Sequence, residues 1–131
     1  MLTATVKTTD RQQVVDITRM VGETVEKSGV KEGICHLVIP HTTAGLTINE
    51  GADPSVREDI IRALDGLVPR HGRYHHLEGN AAAHIKASLL GSSLAVCIQG
   101  GQISLGTWQS IYFCEFDGPR RREVWVMFSP A

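Results

Sequence analysis

Apolar residues recur with period two through most of the chain and at helical spacing in three stretches. Leu2–Thr8 reads as a strand and Gln13–Val15 as a second, short one. Ile17, Met20, Val21 and Val25 then share a helical face until Ser28-Gly29 breaks the pattern. Ile34–Ile39 is rich in β-formers, with Cys35, Leu37 and Ile39 on one side, and Pro40 ends it. In Gly45–Glu50, Leu46 and Ile48 alternate with Thr47 and Asn49. Asp53-Pro54 starts a helix, because aspartate accepts from free first-turn amides and proline suits the first helical position. Its buried stripe is Val56, Ile60 and Leu64, and Gly66 with Pro69 ends it. His71–Gly79 is a polar loop. Asn80 is placed to cap a short alanine-rich helix, Ala81–Leu90, which Gly91 terminates.

The last third reads as sheet. Leu94–Gln99 and Gln102–Leu105 flank Gly100-Gly101, a two-residue hairpin signal. Trp108–Phe116 is a long strand, Asp117-Gly118-Pro119 a turn and Glu123–Phe128 the closing strand. About eight strands, many antiparallel, and three helices make an α+β fold, with helices on a largely antiparallel or mixed sheet.

Composition narrows the function classes. The chain has 131 residues, enough for one domain. Thirteen Lys+Arg against fourteen Asp+Glu leave a net charge of -1, so no bulk electrostatic case for nucleic acid arises. No apolar run approaches the ~20 residues of a membrane span, and Met1–Lys7 lacks the apolar centre of a signal peptide. Three cysteines, Cys35, Cys97 and Cys114, form no CxxC pair, and their placement in β patterns reads as small hydrophobes. Unpaired thiols suit a cytoplasmic protein. Neither GxxxxGK[ST] nor GxGxxG occurs, so no nucleotide cofactor is expected.

The candidate chemistry lies in six histidines and a few charges. His36 sits inside a strand, and His71 and His75 in the polar loop read as solvated. His41 follows Pro40 and leads into Thr42-Thr43-Ala44-Gly45, where hydroxyls and a glycine suit close approach of a ligand. His76 closes the polar loop. His84 lies near the start of the alanine-rich helix, whose positive end favours neutral imidazole, the form that ligates a metal or accepts a proton. The spacing of the three does not itself define a metal motif; capping and hydrogen-bonding roles stay open. Glu50 and Glu78 are candidates for a general base or for orienting an imidazole. Asp53 reads as a helix cap, Glu115 and Asp117 as either functional or strand-edge charges. Lys86, Arg120 and the amides after Asn80 could hold a phosphate. The alternative makes Arg120-Arg121-Arg122 an exposed tip. Trp108 reads as core or interface, and Gln109 beside it is able to orient a ligand.

Taken in order, His41-Thr42-Thr43-Ala44-Gly45-Leu46-Thr47-Ile48-Asn49-Glu50, Asp53-Pro54, His76, Glu78-Gly79-Asn80, Ala83-His84-Ile85-Lys86, Gly106-Thr107-Trp108-Gln109 and Glu115-Phe116-Asp117-Gly118-Pro119-Arg120 resemble the YjbQ-like family. The resemblance spans nearly the whole chain. It implies a single YjbQ-like domain over residues 1–131, a homotrimer, and a pocket formed by His41, Glu50, His76, Glu78, His84, Trp108 and Gln109. It also implies a weak, secondary thiamine-phosphate synthase activity, joining a pyrimidine-methyl pyrophosphate to a thiazole phosphate. Some members hold a metal, so a divalent ion, zinc or magnesium, is expected on His41, His76 and His84. Glu50 or Glu78 would be the base, and Asn80, Lys86, Trp108, Gln109 and Arg120 would bind a small phosphorylated metabolite. Three histidines suit zinc, whereas pyrophosphate chemistry favours magnesium on carboxylates. A non-catalytic trimeric metabolite- or metal-binding protein, or a different metal-assisted hydrolase, is the alternative.

Overall fold

The period-two segments become eight strands and the helical segments three helices. A computed structural model describes all residues, 1–131. Their order is β1 (Leu2–Lys7), β2 (Gln13–Asp16), α1 (Thr18–Ser28), β3 (Gly33–Val38), β4 (Ala44–Glu50), α2 (Pro54–Leu67), α3 (Ala81–Leu90), β5 (Ser93–Gln99), β6 (Gln102–Ser104), β7 (Gln109–Glu115) and β8 (Arg121–Pro130). One sheet runs β1-β8-β3-β5-β6 and the other β2-β7-β4. Every pairing is antiparallel, and the fold is α+β as expected. No helix is long and apolar enough to cross a membrane.

Two cores explain the layering. Cys35, Leu37, Val96, Ile98, Val124 and Val126 of the larger sheet meet Leu46, Ile111 and Phe113 of the smaller one, with Val21 and Val25 of α1. On its other side the smaller sheet sends Tyr112 and Cys114 against Leu64 of α2 and Ala83 and Ala87 of α3. Strand β7 is therefore covered on both faces, and Ile111–Glu115 is buried without a break. Burial pushes the Cys35 thiol up to about 11 and Cys114 up to about 12, which leaves both as packing groups. Cys97, by contrast, is exposed on the outer face of β5, not a small hydrophobe in the core.

Local chemistry accounts for most element ends. The Asp53 carboxylate accepts from Ser55 N–H at 3.0 Å, the cap the sequence predicts. Gly100 and Gly101 have φ of +61° and +78° and join Gln99 to Gln102 in the predicted hairpin. Three ends differ. Gly66 does not stop α2; it lies in the last turn with open space around it, and Val68 N–H still reaches Leu64 O at 2.8 Å. An exposed glycine weakens a helix by ~1 kcal/mol but does not break it. In the α2 stripe only Leu64 is buried, with Val56 and Ile60 half-buried. Strand β8 begins two residues earlier than expected, so the arginine run enters the sheet.

Candidate functional site

Helix α3 is seated against β4 at very short range. A Cβ on Gly45 would stand 2.9 Å from Leu90 Cβ and 3.2 Å from Gly91 O, so only glycine fits there. Leu46 N–H donates to Gly91 O at 3.0 Å. This approach brings His84 of α3 beside His41, which precedes β4. The two line one cavity of about 520 Å³ with Thr42, Ser88 and Ser92. His84 also borders a second cavity of about 380 Å³, shared with Arg73, Tyr74, His75 and His76. The rings of His76 and His84 meet edge to face, with centroids 5.1 Å apart. The two cavities adjoin at His84, with His41 on one and His75 and His76 on the other, and together they are called the imidazole groove below.

His41 is held from the five-stranded sheet. Its Nε2 accepts from the backbone N–H of Glu123 in β8 at 2.8 Å. Next to it, Arg122 forms a buried ion pair with Glu115. Its Nε donates to Glu115 Oε1 at 2.8 Å, and one Nη2 serves both Glu115 Oε2 and Thr43 Oγ1. Thr8 Oγ1 donates to Glu115 Oε1 at 2.8 Å. Burial acts to raise the Glu115 carboxyl, but these hydrogen bonds, with that from Asp117 N–H, outweigh it and hold the group below its ordinary value. Burial, then the Arg122 charge, lowers His41 below the usual imidazole value, favouring its neutral form.

His76 is held by a surface relay. Its Nε2 lies 2.8 Å from Asn80 Oδ1, and Asn80 Nδ2 donates to Asp117 Oδ2 at 2.9 Å. Arg120 donates to the same carboxylate at 3.0 Å and to Asp117 O at 2.7 Å. Glu78 Oε2 stands 3.8 Å from His76 Nε2. Burial acts to raise the Asp117 carboxyl, but the bonds from Asn80 and Arg120 outweigh it and hold the group below its ordinary value. Asp117 joins four residues singled out by sequence, Asn80, His76, Glu78 and Arg120, into one network. The signal was there in Glu78-Gly79-Asn80 and Asp117-Gly118-Pro119-Arg120, but only the fold joins the two.

Several expectations change in detail. Asn80 does not cap α3 with its side chain, because that side chain is engaged by His76 and Asp117. Lys86 is buried and donates to Asp65 at 2.5 Å and Gln12 at 2.9 Å, so its charge is already matched. Arg122 is not part of an exposed tip. Trp108 lies just outside β7 and is 66 % exposed, so it is not core. Gln109 turns back to accept from Gly106 N–H at 2.7 Å. Glu50 sits opposite Gln109 at the far end of β4. Ala44 to Glu50 spans seven residues, or about 20 Å, so Glu50, Trp108 and Gln109 lie well away from the imidazole groove of the same chain.

A family model described as UPF0047 protein YjbQ-like matches residues 2–131. The chain belongs to the YjbQ-like family. A UPF0047 protein of Methanocaldococcus jannaschii is 54 % identical over 121 residues, covering 92 % of this chain and 88 % of that one. YugU of Bacillus subtilis is 48 % identical over 125 residues, 95 % of each. Among solved YjbQ-like structures, one from Clostridium acetobutylicum superposes with a TM-score of 0.95 at 51 % identity, covering 98 % of this chain and 100 % of that one. One from Sulfolobus solfataricus, described as a YbjQ-like protein of unknown function, has a TM-score of 0.93 at 34 % identity, covering 98 % and 95 %.

Proposed function

We propose that this YjbQ-like protein binds a small phosphorylated metabolite in the groove from His41 past His84 to His76. Its activity there is a weak, secondary thiamine-phosphate synthase reaction. The thiazole nitrogen attacks the methylene carbon of the pyrimidine-methyl pyrophosphate. A C–N bond forms, the C–O bond to pyrophosphate breaks, and thiamine phosphate and pyrophosphate leave. The carrying observation is that His84 borders both cavities, with His41 on one and His76 on the other. Imidazole N–H groups and the Thr42, Ser88 and Ser92 hydroxyls would meet the oxygens on which charge develops.

The expected divalent ion does not fit this donor set. Nowhere in the chain do three His, Cys, Asp or Glu side chains gather as ligands, and His41 Nε2 already accepts a backbone N–H. No step is therefore routed through zinc or magnesium. One observation favours a second reading, a protein that holds the metabolite without turnover: Lys86 and Arg120, the cations expected to take phosphate, are both matched by carboxylates.

The implied homotrimer belongs to the same proposal. Helix α3 is apolar nearly all round, and Ile85 and Leu89 stand one turn apart on its outer side, 39 % and 58 % exposed. A neighbouring subunit would cover them, and would also be the source of Glu50, Trp108 and Gln109 for the groove. Three free thiols agree with the cytoplasm, to which we assign the protein.

Complementation of a thiamine auxotroph tests the activity. Rescue by wild type and not by His41→Ala or His84→Ala is the expected result; equal rescue by all three overturns the site. Calorimetric binding of thiamine phosphate without rescue selects the second reading. Sedimentation that returns a 14.3 kDa monomer overturns the trimer.

A further inference from the structure

Backbone and side-chain partners fix the proton positions on the two outer imidazoles of the groove. A backbone amide only donates. Glu123 N–H points at His41 Nε2 at 2.8 Å, so Nε2 carries the lone pair, and a neutral His41 holds its proton on Nδ1. His41 Nδ1 has no partner within the chain and is not buried, while the ring borders the larger cavity. His76 is set the other way. The Asp117 carboxylate accepts from Asn80 Nδ2 at 2.9 Å, which turns Asn80 Oδ1 toward His76 Nε2 at 2.8 Å. An amide oxygen only accepts, so His76 Nε2 carries a proton and the lone pair of the neutral ring lies on Nδ1. His84 stands between them, and its ring makes no hydrogen bond in the chain.

We infer that His41 and His76 are held in opposite tautomers, giving the groove a donor end at His41 Nδ1–H and an acceptor end at His76 Nδ1. A ligand is therefore read by polarity as well as shape. A phosphate oxygen belongs at His41, and a group that bears a proton belongs at His76. The tautomers stand on the hydrogen bonds alone; the ligand's orientation rests on the metabolite reading above. The same geometry removes His41 from any metal set. Ligation through Nδ1 would move its proton to Nε2, against the Glu123 N–H.

Two-bond 15N correlation spectra of histidine-labelled protein above pH 7 decide the tautomers, with His41→Gln and His76→Gln assigning the resonances. The expected result is Nδ1–H at His41 and Nε2–H at His76, with Asn80→Ala moving only His76 toward a mixture. Zinc leaves the His41 pair unchanged. Inorganic phosphate shifts His41 Nδ1, and calorimetry finds it bound about tenfold or more weakly by His41→Gln, whose Oε1 can keep the acceptor for Glu123 N–H but which places no donor at the Nδ1 position. His41→Asn, whose Nδ2 replaces the donor, binds within about threefold of wild type, inside the spread of a single retained hydrogen bond. A proton on His41 Nε2, zinc displacing its Nδ1 proton, or His41→Gln binding phosphate as well as wild type overturns the inference. If His84→Ala alone weakens phosphate binding, the metabolite reading stands and this inference falls. If the tautomers are as stated but wild type binds no phosphate, the metabolite reading and the donor-end assignment fall together. Where a variant does not fold, through-bond backbone correlations of the wild-type protein assign the same rings, so the first half stays decidable.

Discussion

His41 hangs from a backbone amide of β8, one residue past a buried ion pair that joins the two sheets, whereas His76 hangs from side-chain hydrogen bonds at the surface of a loop. On the His41 side, Glu115 and Arg122 are almost wholly buried, and Thr8 and Thr43 close the remaining valences. On the His76 side, the ring is 40 % exposed, and its partners are Asn80, Asp117 and Glu78. A charge pair out of water fixes one geometry because every alternative leaves an unpaired charge. A solvated network has water as a substitute for each partner. One wall of the groove is therefore a fixed template, and the other adjusts at little cost.

The largest test of that difference is Arg122→Ala. It leaves the Glu115 carboxylate buried with Thr8 and Asp117 N–H as its donors, and should destabilise by about 3–5 kcal/mol in urea unfolding. Replacing both partners, Arg122→Met with Glu115→Leu, should recover most of that loss. A loss below about 1 kcal/mol for the single variant would mean that the pair is solvated and the template idea fails. Next comes Gly45→Ala. Its Cβ would meet Leu90 and Gly91, so α3 must move or strain at a cost of about 1–3 kcal/mol. The His84 ring resonances should shift with it; a stable variant with unmoved His84 signals would refute the close seating.

Acid separates the walls by pH. Glu115 and Asp117 have folded values below their ordinary ones, so their contribution is present above the carboxylate range and is lost as pH falls through their folded values. His41 is also lowered, from 6.5, so the unfolded chain takes its proton first and stability declines as pH drops below about 6.5. Urea midpoints should fall in two stages, near pH 6 and again below about 4. His41→Gln should remove part of the first stage and Arg122→Ala should flatten the second. Identical profiles for all three proteins would show that neither group is coupled to folding. Asn80→Ala, on the softer wall, should cost only about 1 kcal/mol by thermal unfolding, since two exposed or half-buried hydrogen bonds are replaced by water.

The contrast also explains what could be read beforehand. Elements whose chemistry is local were legible: the Asp53-Pro54 helix start, the Gly100-Gly101 hairpin and the alternation that yields eight strands. The histidines of the groove stood out because they cluster with hydroxyls, glycine and asparagine within short segments. The partners that hold them did not. Arg122 lies in the middle of three arginines, and only the in-out alternation of β8 puts it inside, opposite a glutamate from the other sheet. Lys86 meets Asp65 from α2, across 21 residues. His41 is fixed by a backbone amide, and amides leave no mark on a sequence. Glu50, Trp108 and Gln109 share the family pattern with the histidines, yet Glu50 ends β4 opposite Gln109 at the start of β7, a strand's length from His41.

The smallest effect is the sharpest check on the soft wall. Glu78 Oε2 stands 3.8 Å from His76 Nε2, an ion pair only when the ring is protonated, and the carboxylate is 76 % exposed. Such pairs contribute about 0–1 kcal/mol and are screened by salt. Glu78→Gln keeps the side chain's shape and removes its charge. It should change the thermal midpoint by no more than a degree or two, corresponding to roughly 0.5 kcal/mol or less. The Nε2–H tautomer of His76 should persist, because Asn80, not Glu78, sets it. A larger loss of stability, or a His76 ring that changes tautomer in Glu78→Gln, would make Glu78 the group that orients the imidazole. The loop would then owe its geometry to charge, as the buried wall does.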